Sequence, residues 1–269
     1  MQYDPIKRKL GSLAGRSVFL RKMLYSLLDI LLLRSWHVRR LLRKMAPSMP
    51  QNAIVLDAGA GFGQYSYRMA RLHKNWKVTA IDLKEEQVTD CNLFFQAAGM
   101  GNRVRFITGD LTELTDENNY DLILSVDVME HIENDRQVFT NLLRALKPGG
   151  SLVISTPSDR GGSDVHNEYD KSFIDEHVRD GYNIDDLSLL LLKTGFSDVE
   201  TSYTYGRAGS AAWRISMKYP VKMLGVSGIS WLVLPFYYII VMPLAMILNY
   251  TDVNTRNRSG TGLLIRAVK

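Results

Sequence analysis

Val55-Leu56-Asp57-Ala58-Gly59-Ala60-Gly61-Phe62-Gly63 begins as an apolar run that reads as a buried strand, then passes into a glycine-spaced turn with an acidic residue at its mouth. The nine residues that follow, 64–72, read as a helix. Strand, glycine turn and helix together form the corner of an α/β sheet at which backbone can come close to a ligand. The spacing departs from the Gly-x-Gly-x-x-Gly of dinucleotide-binding folds, because the third glycine arrives one residue early. Asp57, just ahead of the turn, suits an amine or hydroxyl better than a pyrophosphate.

Working outward, residues 76–81 read as a second strand ending at Asp82. That places Asp82 near the ~20-residue offset at which a carboxylate takes up ribose hydroxyls. A third strand, 104–108, ends in Gly109-Asp110-Leu111, and a fourth, 120–126, leads into Asp127-Val128-Met129-Glu130-His131. After a helix, Leu146-Lys147-Pro148-Gly149-Gly150 is expected to turn the chain into a fifth strand, 151–155. Residues 196–205 and 262–267 read as the sixth and seventh. Strands alternating with helical patterns predict a parallel sheet.

Over residues 51–158 this series resembles the class I S-adenosyl-L-methionine-dependent methyltransferases. The resemblance implies an α/β fold with a doubly wound, seven-stranded, mostly parallel sheet whose last two strands form an antiparallel pair. It also implies S-adenosyl-L-methionine as cofactor. Asp57 and the backbone of Gly59, Gly61 and Gly63 would lie near its methionine portion, with the backbone around Ser125 and Val126 helping to hold that end. Asp82 with Leu83 would meet the ribose. Asp110 would accept from the adenine amino group, and the backbone N–H of Leu111 would face the ring. Asp127, Glu130 and His131 resemble in spacing the acidic-x-x-Glu-His group that binds a divalent cation in ubiquinone-pathway O-methyltransferases. Here an Asp with its shorter arm stands first, and many metal-free relatives carry Glu-His in this place as a structural pair. The expectation is therefore no metal.

Composition narrows the class. A chain of 269 residues can bury one full α/β core with material left over. The single cysteine, Cys91, excludes an internal disulfide framework and fits a reducing compartment; within its helix it reads as a packed thiol. No Cys/His cluster has zinc spacing. The N-terminus lacks a secretory pattern, because its short apolar run is broken by Asp29 and no small-residue cleavage site follows. Net charge is +5, and much of the excess sits in residues 1–50, where Lys7, Arg8, Lys9, Arg16 and further basic residues face only Asp4 and Asp29. Such an end suits nucleic acid or an anionic membrane.

Two apolar segments exceed what the core requires. Val38, Leu41, Leu42 and Met45 fall on one helical face and Arg39, Arg40, Arg43 and Lys44 on the other. Upstream, Phe19, Leu20, Met23, Leu24, Leu27, Leu28 and Leu31 extend the apolar side. A helix of this kind lies in a lipid interface or packs over a substrate cleft, and both can hold. Its broad apolar face argues against nucleic acid. The second segment, 223–251, carries no charge and meets the ~20-residue length of a hydrocarbon core. Trp231, Tyr237, Tyr238 and Tyr250 favour a lipid–water boundary, and Pro235 and Pro243 are expected to kink a helix. A single crossing would put the seventh strand in the wrong compartment. The segment is therefore expected to dip in and return, or to form a helical hairpin with the residues before it. Basic residues on both flanks fit the cytoplasmic leaflet, while the soluble alternative is an apolar lid or a dimer interface.

The chain thus divides into a basic amphipathic helical region (1–50), a cofactor-binding core (51–205), an apolar membrane-associating insertion (206–260) and a last core strand (261–269). For an oxygen acceptor a proton acceptor is needed. His131, His166 and His177 fall on the expected substrate side, with His131 first because it is nearest the cofactor pocket in sequence. The Asn/Asp-Pro-Pro-aromatic signature of nucleic-acid amino-group methyltransferases is absent. The expected activity is O-methylation of a hydrophobic or lipid-linked small molecule by a peripheral or monotopic protein at the cytoplasmic membrane surface. The rivals are a catalytically idle cofactor-binding subunit that engages a membrane partner, and a soluble RNA or protein methyltransferase. Oligomeric state is not legible.

Overall fold

A computed structural model describes residues 17–160, 178–226 and 230–269. Two helices, α1 (Val18–Leu31) and α2 (Leu33–Met45), precede strand β1 (Ile54–Ala58). Then follow α3 (Gln64–Leu72), β2 (Lys77–Asp82), α4 (Glu85–Ala97), β3 (Val104–Thr108), β4 (Tyr120–Val126), α5 (Asp135–Ala145) and β5 (Leu146–Pro157). The chain ends with α6 (Ile184–Thr194), β6 (Ser197–Thr204), a helical excursion and β7 (Gly262–Val268).

The seven strands form one sheet in the order β3-β2-β1-β4-β5-β7-β6, with β7 alone running antiparallel to its neighbours. β1 and β4 sit centrally, and their continuous apolar runs are explained by cover on both faces. One face packs Val38, Leu42, Met69, Phe94 and Phe95 from α2, α3 and α4 against Val55, Val78 and Leu124. The other packs Val138, Phe139, Leu142, Leu187 and Leu191 from α5 and α6 against Leu56, Ile123 and Ile154. Each fully buried Val, Leu or Phe contributes ~1.5–3 kcal/mol, so this two-sided core dominates the stability.

The fifth strand differs from expectation. Leu146 already pairs with Tyr120, and the register then jumps to Leu122 opposite Ser151. Residues 147–150 therefore bulge from within the strand instead of preceding it, with Gly149 in a left-handed conformation (φ 77°). At the other end β5 runs on through Thr156 and Pro157, two residues beyond the expected strand end.

α1 and α2 are two helices broken at Leu32, and they use their faces oppositely. α2 buries Val38, Leu42 and Met45 and leaves Arg40, Arg43 and Lys44 exposed. α1 instead turns a polar seam inward. Arg21 and Tyr25 are buried, and Asp29 pairs with Arg68 and accepts from Gln64 Nε2 (2.9 Å). Its apolar residues Phe19, Leu20, Met23, Leu27 and Ile30 point away from the core.

Between β6 and β7 the chain makes a helical hairpin. The outgoing leg is α7 (Arg207–Trp213), a π-helical turn (Arg214–Lys218) and α8 (Tyr219–Val226); the return leg is α9 (Ser230–Asn254), one helix of 25 residues. α9 continues through both Pro235 and Pro243, which each remove one backbone donor. Tyr237 and Tyr238, read from sequence as boundary residues, donate their hydroxyls to the carbonyls of Ile215 (2.7 Å) and Ser216 (2.9 Å). The π turn shifts the backbone bonding register by one residue, and the two tyrosines meet carbonyls within it.

The base of the hairpin is tied to α2 by Asp252, which is fully buried. One of its carboxylate oxygens bonds His37 Nε2 (2.8 Å), and the other accepts from the Gly209 N–H (3.0 Å). A Cβ at position 209 would lie 2.4 Å from Leu33 Cδ2 and 2.7 Å from Asp252 Oδ2, so only glycine permits this approach. Asp252→Ala is expected to cost about 3 kcal/mol, because it orphans both partners in a buried site. Gly209→Ala should move the denaturation midpoint in the same direction. Urea titrations of the detergent-solubilised protein would measure both, and unchanged midpoints would show that the tie is dispensable.

Candidate active site

The carboxyl ends of β1, β2 and β3 lie side by side, and the glycine turn folds over them. Gly59 and Ala60 both donate their N–H groups to the Ile81 carbonyl (2.9 and 3.0 Å), pinning the turn to the end of β2. Gly61 donates its N–H to Asp82 Oδ2 (2.7 Å), while Asp82 Oδ1 accepts from the Lys84 N–H (3.0 Å). Gly59, Gly61 and Gly63 all have positive φ (81°, 52° and 85°), which side chains rarely tolerate. A Cβ on Gly59 would collide with Val128 at 2.3 Å, and one on Gly63 would meet Phe106 at 2.9 Å. At Gly61 nothing lies within 4 Å, so the middle of the turn opens onto free space. Backbone approach to a ligand requires this cradle.

Asp57 lies beneath the turn. Its carboxylate accepts from the Ser66 hydroxyl (2.5 Å), and burial pushes its pKa up to about 7, opposed by that bond and reinforced by nearby Asp82. Asp110 stands beside Asp82 at the next strand end, where Gly109 donates its N–H to the Asp82 carbonyl (3.1 Å). One Asp110 oxygen accepts from the N–H and hydroxyl of Thr112, both at 2.8 Å. Leu111 is buried below, whereas Leu83 is 68% exposed at the rim. Ser125 is fully buried at the end of β4, and its hydroxyl has no hydrogen-bond partner among the described residues. The acidic residues expected around one ligand thus share a single edge, with Asp57 buried and bonded to α3.

Beyond β4 the three metal candidates diverge. Asp127, itself left-handed (φ 53°), is ion-paired with Arg34. Glu130 is buried, and its Oε2 accepts from Thr156 Oγ1 (3.0 Å). His131 ends the short helical turn Met129–His131 on the surface. Among the described residues no group of three or more His, Cys, Asp or Glu is placed to hold a metal. His166 and His177 lie outside the described residues. The segment that follows them packs against the His131 turn: Val178 donates its N–H to the Glu130 carbonyl (3.0 Å), and Arg179 pairs with Asp135.

Several residues at this edge escape a sequence reading. Arg21 donates to Phe62 O (2.9 Å), Asp90 (2.5 Å) and Tyr25 (2.8 Å), and Tyr25 donates its hydroxyl to the same Phe62 carbonyl (2.5 Å). α1 therefore grips the glycine turn directly. Arg34 reaches Asp127, and Ser35 bonds Tyr65 (3.1 Å), adding α2 to the enclosure. The one available signal was the i, i+4, i+8 placement of Arg21, Tyr25 and Asp29 within a leucine-rich helix. Cys91 is a packed thiol as expected, with burial raising its pKa to about 12.

With this geometry in place, residues 55–150 match the family model described as a methyltransferase domain. Ubiquinone biosynthesis O-methyltransferases of Rickettsia prowazekii and Rickettsia conorii are 30% and 29% identical over 102 residues, which is 38% of this chain. The match spans only 39% and 34% of those relatives' lengths. Phosphoethanolamine N-methyltransferase 2 of Haemonchus contortus, solved with S-adenosyl-L-methionine, superposes with a TM-score of 0.60 at 22% identity, covering 87% of this chain and 52% of that one. The [4+2]-cyclase SpnF superposes at 0.56 with 18% identity, covering 86% and 81%. The fold is thus shared by proteins of different chemistry. Residues 55–150 thus match a methyltransferase domain, and the seven-stranded sheet has the class I methyltransferase fold.

Proposed function

We propose that this protein is an S-adenosyl-L-methionine-dependent methyltransferase acting on the hydroxyl of a hydrophobic or lipid-linked small molecule at the cytoplasmic membrane surface. One arrangement carries the cofactor reading: a glycine turn open at Gly61, with Asp82 2.7 Å from its N–H and Asp110 on the adjoining strand end. Asp82 would receive the ribose hydroxyls and Asp110 the adenine amino group. Exposed Leu83 would cover the ring edge, and the unpartnered Ser125 hydroxyl suits the polar methionine end.

Bound S-adenosyl-L-methionine supplies a methyl group already activated on a sulfonium. The chain's own contribution is then alignment, exclusion of water and removal of the acceptor's proton. α1 and α2 roof the site through Arg21, Tyr25 and Arg34, and His131 is the proton acceptor assigned here. In this reading residues 51–205 with 261–269 form the transfer unit, and residues 1–50 and 206–260 are the parts that meet the membrane.

Three observations support the membrane assignment. Only 17% of the apolar window in residues 232–254 is buried, whereas the core helix of a soluble protein is mostly covered. Leu232, Phe236, Ile239 and Ile240 are each at least 70% exposed. The outward face of α1 adds Phe19 and Met23. The similarity to ubiquinone-pathway enzymes fits a lipophilic acceptor.

Asp82→Ala should reduce S-adenosyl-L-methionine affinity at least ten-fold in a calorimetric titration, and retention of full affinity would refute the cofactor site. Because Asp57 carries a proton below about pH 7, a ligand ammonium beside it meets a neutral acid at pH 6 and a carboxylate at pH 8. Affinity should therefore fall as pH drops through 7, and Asp57→Asn should flatten that dependence. Phe236→Asp with Ile240→Asp should abolish flotation with vesicles containing phosphatidylglycerol while the sheet keeps its circular dichroism. Flotation equal to wild type would exclude the hairpin as the attachment element.

A further inference from the structure

Where α1 breaks into α2, the chain does not close against the hairpin. A cavity of about 120 Å³ remains there, lined chiefly by Leu31, Leu33, Arg34, Tyr205, Met217 and Asn249. Leu31, Leu33 and Met217 give it apolar walls. Two features set it apart from a packing defect. Asn249 is 4% exposed on an apolar helix, and its carboxamide oxygen has no hydrogen-bond partner among the described residues. A buried acceptor left unmatched costs free energy, so its retention points to a donor that arrives from outside. Tyr205 is held in a left-handed conformation (φ 54°), with its carbonyl accepting from Ser210 Oγ (2.9 Å) and its hydroxyl from the Arg34 N–H (3.2 Å). Strain of this kind persists only where the surroundings over-determine it.

The cavity also lies next to the proposed chemistry. Arg34 lines it and pairs with Asp127, the residue directly after β4. On its other side stand the two legs of the hairpin, whose outer faces are apolar. A molecule drawn from a lipid phase could thus extend from the hairpin toward the end of β4 without crossing water.

We infer that this cavity is a subsite for the acceptor, and that it takes a neutral, ring-sized apolar group carrying one hydrogen-bond donor, which Asn249 Oδ1 receives. The inference rests on the methyltransferase reading and adds the substrate class: an amphipathic hydroxylated molecule, not an anion, because the Arg34 charge is already answered by Asp127. At about 120 Å³ the cavity is somewhat smaller than the ~150 Å³ apolar cavity that accommodates benzene, so it holds no more than one ring.

The test uses the full-length protein in one detergent with two probes, 4-propylphenol and its methyl ether 4-propylanisole, titrated by ligand-detected NMR. Wild-type protein should prefer the phenol. Asn249→Leu should weaken phenol binding roughly five-fold, the weight of one neutral hydrogen bond, and leave the ether unchanged. Ser216→Leu, placed in the cavity wall, should weaken both. Asn249→Leu replaces an unmatched polar group with an apolar one of similar size, so its thermal midpoint should equal or exceed wild type, separating lost binding from unfolding. A phenol-to-ether ratio identical in wild type and Asn249→Leu would overturn the inference, as would Ser216→Leu binding both probes normally. S-adenosyl-L-methionine affinity, measured in parallel, should be the same in all three proteins. If the wild type binds none while the phenol preference holds, the methyltransferase reading fails and the cavity stands as a ligand site.

Discussion

Thr204 at the end of β6 pairs with Gly262 at the start of β7. That single register fixes both ends of the intervening chain at one point on the carboxyl edge of the sheet. Whatever lies between must leave and return on the same side, so a long apolar helix there can only be one leg of a hairpin. The pairing also puts the base of that hairpin on the same carboxyl edge as the glycine turn, with β4 and β5 between them. The buried Asp252 contact with His37 and Gly209 then locks the base to α2. Apolar appendage and candidate site are one construction because of this closure.

α1 shows how the two are joined. A surface helix ordinarily turns its apolar stripe to the core, but α1 sends Arg21, Tyr25 and Asp29 inward and leaves its large apolar residues outside. The inward polar seam is satisfied: Arg21 and Tyr25 meet the Phe62 carbonyl and Asp29 meets Arg68 and Gln64. Among the described residues the outward stripe stays largely uncovered. In the membrane reading proposed above, the same helix grips the cofactor turn with one face and faces lipid with the other. Attachment to the membrane and ordering of the site would then be coupled through Phe62.

The site itself depends on backbone more than on side chains. The turn is held by N–H groups aimed at Ile81 and Asp82, and its three glycines are required for different reasons. Gly59 and Gly63 allow close packing against Val128 and Phe106, whereas Gly61 keeps the mouth open. Asp57 is a buried acid at the end of β1 bonded to Ser66, so it ties that strand to the first turn of α3. Beyond β4, the Asp127–Glu130–His131 run separates into a surface ion pair, a buried hydrogen bond and an exposed imidazole.

Local pattern was enough to read the sheet, because β1 and β4 are buried on both faces and the glycine turn needs positive φ at fixed spacing. The placement of Asp82 and Asp110 at adjoining strand ends was legible for the same reason: strand ends in a parallel sheet fall at one edge, so position along the chain implies position in space. The inward polar seam of α1, the Arg34–Asp127 pair, the Asp252 tie and the cavity beside Asn249 were not. Each joins residues far apart in sequence, and periodicity states only that a helix has two faces, not which one meets the core. That choice was made by long-range partners, the Phe62 carbonyl and Arg68 for α1 and His37 for the hairpin, which exist only once the sheet has brought them together.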